Sequence, residues 1–205
     1  MLSKKKALKQ FIERHVKEGF MQRDDIVQAT IYEFRGEFGG PDFLKAVSTT
    51  VDRYLARYLI MESSWISATD CDKLDTAFEQ LESLGIVSRQ HFCCCNDCGH
   101  REMQSELRRL RGKRRVRALK SAVRLKGFAF FHHQDTERAI KSGMLFLTFD
   151  SLEKNIEKAV EVGSTILEVL KQTGLNVSWN GSYLQRIAIT NLSWRKRRFS
   201  RLKVG

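Results

Sequence analysis

A chain of 205 residues with a hydrophobic fraction of 42% can bury a core without disulfides, and a single proline with no Gly/Ser-rich run leaves no visible linker between separately folding parts. The net charge of +12 excludes an acidic surface and favours anionic partners. No apolar run is long enough to cross a bilayer, residues 1–10 are basic without a following apolar stretch, and five cysteines are an odd number, so neither a membrane protein nor a secreted disulfide framework is expected and a cytoplasmic location is.

Ser3 can cap a first helix carrying Leu8, Phe11, Ile12 and Val16 at helical spacing, with Gly19 as its stop. Asp24 offers a second cap, and Ile26, Val27, Ile31 and Phe34 keep the same period until Gly39, Gly40 and Pro41 interrupt it. A third helix follows through Phe43, Val47, Val51, Leu55 and Leu59, which makes residues 1–66 a helical region. Residues 70–84 place Leu74, Ala77, Phe78 and Leu81 on one face of a fourth helix ended by Gly85, and residues 86–92 read as a strand running into a cysteine cluster.

A charged helix is predicted over residues 102–117, weakened by Gly112. Two aromatic strands follow, at residues 127–132 and 144–149, separated by a short helix over 135–140 with Asp135 as its cap. The amphipathic run over 152–173 ends at Gly174, and residues 177–179 and 187–192 supply two last strands joined near Asn180-Gly181. The predicted fold is α+β: one domain over 1–205, in which the helical region packs with a roughly five-stranded mixed sheet flanked by helices within 67–205.

The charge is concentrated. Residues 101–126 hold eleven Lys/Arg against two acids, Glu102 and Glu106, and a second cluster, including Arg195, Arg197 and Arg198, closes the chain. Arg108, Arg109, Arg111, Arg114, Arg115 and Arg117 within the first cluster and the three arginines of the second are the candidate partner-binding residues. No aromatic residue is interleaved with the first cluster as a base-stacking platform would require, so nucleic acid is the alternative partner and an acidic protein the preferred one.

Cys95 and Cys98 have the CxxC spacing that turns two thiolates onto one metal ion, and zinc suits such a set. Cys94, His100 and Cys71 are candidates to complete it, with His132 and His133 further possibilities. No second CxxC is present, and small thiols also pack well as buried hydrophobes, which is the preferred plain reading. A second candidate site is His132, His133, Asp135 and Glu137, where a strand delivers two imidazoles and two carboxylates to a helix start. Capping gives Asp135 a sufficient structural job, and no phosphate loop, nucleophile elbow or HExxH helix is present, so catalytic residues are not assigned and a metal-dependent enzyme ranks last.

The motifs Thr69-Asp70-Cys71-Asp72-Lys73-Leu74-Asp75, Gly85-Ile86-Val87-Ser88-Arg89-Gln90, Cys94-Cys95-Asn96-Asp97-Cys98-Gly99, His132 with Gln134-Asp135-Thr136-Glu137-Arg138-Ala139, and the closing Trp194-Arg195-Lys196-Arg197 stand in a specific order. Over roughly the last two-thirds of the chain they resemble an uncharacterised bacterial domain family of unknown function. The resemblance implies that the CxxC and the HxQDTE segment belong to one recurring design, and it brings no activity. The extra Cys93 and the arginine-rich stretch depart from the pattern, which implies that the basic patch is an addition to a common fold.

These readings rank three functions. The first is a non-catalytic binding protein, of the immunity or antitoxin kind, that captures an acidic toxin stoichiometrically through its basic surface. The second is a nucleic-acid-binding protein with a structural zinc or thiol cluster, and the third is a metal-dependent enzyme.

Overall fold

A computed structural model describes residues 2–116, 124–153 and 155–199. The chain forms two compact units, Met1–Thr69 with Arg195–Gly205, and Asp70–Trp194. The division falls close to the helical boundary at residue 66 that the sequence suggests, but the closing basic segment returns to the first unit. The basic cluster that includes Arg195 coincides with that return, but charge alone does not show where the segment packs.

The first unit contains α1 (Leu2–Glu18), α2 (Arg23–Phe34) and α3 (Pro41–Ser63). Ile12, Val16, Ile26, Val27, Val47, Val51 and Tyr58 form its core, as the helical periodicity requires. Helix α1 begins at Leu2, so Ser3 lies inside it and is not its cap. The cap of α2 is Gln22, whose backbone N–H donates to Asp25 Oδ2 at 3.2 Å, and Asp24 instead pairs with Arg23. Gly19 has φ +84, and a Cβ there would lie 2.5 Å from Lys196 Cγ, so this turn requires glycine twice over.

The same segment clamps the first unit. Arg198 donates to the carbonyls of Val16 at 3.2 Å, His15 at 3.4 Å and Met21, so the cation satisfies acceptors that a helix end leaves open. Arg197, which is buried, donates to the carbonyls of Trp65 at 3.0 Å and Ser67 at 2.9 Å. The buried Glu62 carboxylate accepts the backbone N–H groups of Arg198 at 2.8 Å and Phe199 at 3.1 Å.

The second unit runs α4 (Asp70–Ser83), β1 (Ile86–Arg89), α5 (Asn96–Val116), β2 (Gly127–Phe130), α6 (His133–Ser142), β3 (Leu145–Ser151), α7 (Ile156–Gln172), β4 (Asn176–Ser178) and β5 (Ile187–Thr190). Its mixed sheet has the order β1-β2-β3-β5-β4, with β1 and β2 parallel and the other pairs antiparallel. The fold is therefore α+β, with helices flanking a five-stranded mixed sheet. Parallel β1 and β2 need a crossover, and α5 lies in it. Met103 and Leu107 of α5 pack on Val87, Phe128 and Phe130, which fixes the helix to the sheet by one apolar stripe. No helix among the described residues is long and apolar enough to cross a membrane.

Candidate metal centre at the head of a basic helix

Between β1 and α5 the backbone takes an irregular path, with His91 at φ 50 and Cys93 at φ 65. Such left-handed conformations cost non-glycine residues about 1–2 kcal/mol each and persist only when their surroundings enforce them. Here the N–H of Phe92 donates to the carbonyl of Phe131 at 2.8 Å, and the N–H of His133 donates to that of Cys93 at 3.0 Å. The Cys93 thiol donates to the Cys95 carbonyl at 3.1 Å.

Helix α5 starts at Asn96, earlier than the predicted 102, so the CxxC lies across its first turn. The carbonyl of Cys95 accepts the N–H of Gly99 at 3.0 Å, which places Cys95 at the cap position. Asn96 Oδ1 accepts from Thr148 Oγ1 at 2.7 Å, tying this turn to β3. A Cβ on Gly99 would stand 2.3 Å from Phe130 Cε2, so the first turn rests directly on that ring.

This path brings the sulfur atoms of Cys94, Cys95 and Cys98 within 4.8 Å of one another, and these three can hold a metal ion. Cys94 Sγ and Cys95 Sγ are 3.7 Å apart, and Arg101 donates to Cys98 Sγ at 3.3 Å. The Cys95 thiol is made more acidic, first by the backbone N–H of Cys98 and then by the neighbouring thiols. Hydrogen bonding with Cys98 and Cys95 pushes Cys94 up to about 11, and burial pushes Cys93 to about 11. The most acidic of these thiols thus sits among donors at a helix N-terminus.

The other proposed ligands lie elsewhere. His100 packs edge-on against the rings of Phe128 and Phe130, with centroids 6.0 and 5.6 Å away, and Cys71 is buried in α4. Helical spacing separates them: His100 is turned toward the sheet by the same period that turns Cys98 outward. All five cysteines are free thiols.

The residues of the HxQDTE segment are brought to one corner but face different tasks. His132, not Asp135, caps α6: its Nδ1 accepts the N–H of Asp135 at 3.3 Å, and its own N–H donates to Asp135 Oδ2 at 3.2 Å. Its Nε2 lies 3.1 Å from the same carboxylate. Asp135, fully buried, accepts both terminal nitrogens of Arg186 at 3.1 and 2.5 Å, while Arg186 also donates to the Phe146 carbonyl at 2.6 Å. His133 stacks on His91 with centroids 3.9 Å apart, His91 Nδ1 lies 2.9 Å from Thr136 Oγ1, and Glu137 pairs with Lys141. Arg186 is the partner that sequence reasoning missed, since nothing local connects it to a residue 51 positions away.

Arg108 and Arg109 are exposed on α5 while Met103 and Leu107 are buried, and among the described residues neither arginine has a carboxylate partner. Arg111, Arg114 and Arg115 belong to the last turns of α5, with side chains outside the described ones, and Arg117 lies outside the described residues altogether. Arg195 is exposed, whereas Arg197 and Arg198 are committed to backbone carbonyls.

A family model described as a domain of unknown function, DUF6891, matches residues 2–198. The chain belongs to the DUF6891 family. The DUF6891 match includes the helical region as well as the last two-thirds over which the motifs carry the resemblance. No curated protein and no solved structure shows significant similarity to the chain.

Proposed function

We propose that this chain is a non-catalytic binding protein in which zinc, held by Cys94, Cys95 and Cys98, fixes the head of α5, and the exposed arginine face of that helix captures an acidic protein surface. The observation that carries the reading is the position of the thiol triangle, on the first turn of the same helix that displays Arg108 and Arg109. Zinc–thiolate bonds of about 2.3 Å put two sulfurs on a tetrahedral ion about 3.8 Å apart. The 3.7 Å between Cys94 and Cys95 matches that spacing. Three protein thiolates leave one of four positions for water or a group of the partner.

Arg108 and Arg109 keep their charge available, in contrast to Arg89, which is engaged by Glu82 and Glu106. Their field raises the rate of encounter with an acidic surface and selects its sign. Capture of a toxin is one form such binding takes. The HxQDTE segment supports the non-catalytic reading, because His132 and Asp135 are spent on capping and on Arg186.

The test is affinity capture from the native host with the intact chain and with Arg108→Glu/Arg109→Glu. An acidic protein recovered in equal stoichiometry, and lost with the double variant at unchanged thermal stability, is the expected outcome. Recovery of nucleic acid with steep salt dependence, or of a protein partner equally by both forms, overturns the reading.

A further inference from the structure

The helical unit contains a cavity of about 370 Å³, lined by Lys5, Leu8 and Lys9 of α1, Phe38 and Gly39 of the α2–α3 turn, and α3 residues that include Phe43 and Val47. Its size falls in the range of small-molecule sites, roughly 300–1,000 Å³. We propose that this cavity binds a small amphiphile with one carboxylate, its hydrocarbon body inside and its charged end at Lys5 and Lys9.

The apolar part is a continuation of the core. Val47 is buried in it, Leu8 and Phe43 pack against it, and Phe38 stacks on Phe43 with centroids 5.5 Å apart. A hydrocarbon chain entering here would leave water for a wall of the kind that already holds the helices together. The polar part lies at the mouth. Lys5 and Lys9 are four residues apart on α1, hence on one face, and both are exposed. Lys4 pairs with Glu37 at 3.3 Å, whereas among the described residues neither Lys5 nor Lys9 has a carboxylate partner.

Asp42, also at the rim, reduces this field without cancelling it, since two cations face one anion. The N-terminus of α3 adds to it: the cap, Gly40, supplies no side-chain acceptor, and Gly39, Asp42 and Phe43 of this end line the cavity. A carboxylate therefore meets net positive potential where a cation meets repulsion. The Lys–carboxylate contacts are exposed, so discrimination rests on two modest attractions of up to about fivefold each.

The probe is decanoate, titrated calorimetrically into the full-length chain, with decanol and decylammonium as uncharged and cationic counterparts. One decanoate per chain, binding about tenfold or more tightly than decanol and not displaced by decylammonium, is expected. Ala46→Trp, at an exposed position on the cavity wall, fills the space without entering the core and abolishes binding of both decanoate and decanol. Lys5→Gln/Lys9→Gln weakens decanoate about tenfold and leaves decanol unchanged. Absence of saturable decanoate binding by the folded chain overturns the proposal. So does binding unaffected by Ala46→Trp, or chain attachment to vesicles containing anionic phospholipid that Ala46→Trp does not change, since either places the apolar contact outside the cavity.

Discussion

The Asp135 carboxylate is fully buried and holds Arg186 through both of its oxygens, with His132 on the same side. Removing one member of such a pair leaves the other without compensation, at a cost of about 3–5 kcal/mol. Arg186 keeps 29% side-chain exposure, so Asp135→Asn is expected at the lower end, about 3 kcal/mol by urea denaturation at neutral pH. A loss below about 1 kcal/mol contradicts the assignment of this pair as the link between α6 and the segment entering β5. Burial, followed by the Arg186 charge, lowers the His132 pKa, although Asp135 opposes the shift. The folded chain therefore keeps this imidazole neutral while the unfolded chain protonates it near its ordinary value of about 6.5. Its contribution is intact above that pH and declines as the pH falls from there toward the lowered folded value. His132→Asn keeps an oxygen for the cap and does not titrate, so its stability is expected to fall less steeply between pH 7.5 and 5 than that of the parent chain. Equal slopes contradict this.

At the scale of the element, α5 joins the two features on which the functional reading stands. Its first turn lies on Phe130 because residue 99 has no side chain, and a Cβ would meet that ring at 2.3 and 2.5 Å. Gly99→Ala gains about 1 kcal/mol of helix propensity but overpacks a fully buried contact, which costs about 1–3 kcal/mol. A net loss of about 1 kcal/mol, with lower metal content as the thiols are displaced, is expected from denaturation and metal analysis. Stability equal to or above that of the parent chain contradicts the close approach. The order of elements was legible in the sequence because apolar spacing at helical and strand periods is a local signal, as Leu74, Ala77 and Leu81 mark α4, whereas α5 is marked by its charged composition. The start of α5 was not legible, because its first turn carries cysteines and Asn96 where an apolar stripe would mark a helix, and its anchor is Thr148 of a later strand. The cap of α6 was misplaced for a related reason: a histidine accepts an N–H as well as an aspartate does, and only the geometry shows that Asp135 is turned toward Arg186.

Across the whole molecule, positive charge serves two separate ends that composition does not distinguish. Arg197 and Arg198 resemble Arg108 and Arg109 in sequence, yet the first pair fills carbonyls of the helical unit and the second faces solvent. Carbonyl acceptors at a helix end have no sequence signature, so the closing cluster reads as a contact surface until its hydrogen bonds are seen. The candidate site was partly legible: the CxxC spacing supplied Cys95 and Cys98 and their neighbour Cys94, whereas the orientation that removes His100 belongs to the packed helix. Capture by α5 as proposed requires those three thiols to act as one ligand set. Metal analysis of the chain purified without chelator, beside Cys95→Ser/Cys98→Ser and Cys71→Ser forms, tests this directly. About one zinc per chain, retained by Cys71→Ser and lost by the double variant, is the predicted result. A chain without metal, or one whose zinc survives loss of Cys95 and Cys98, contradicts it.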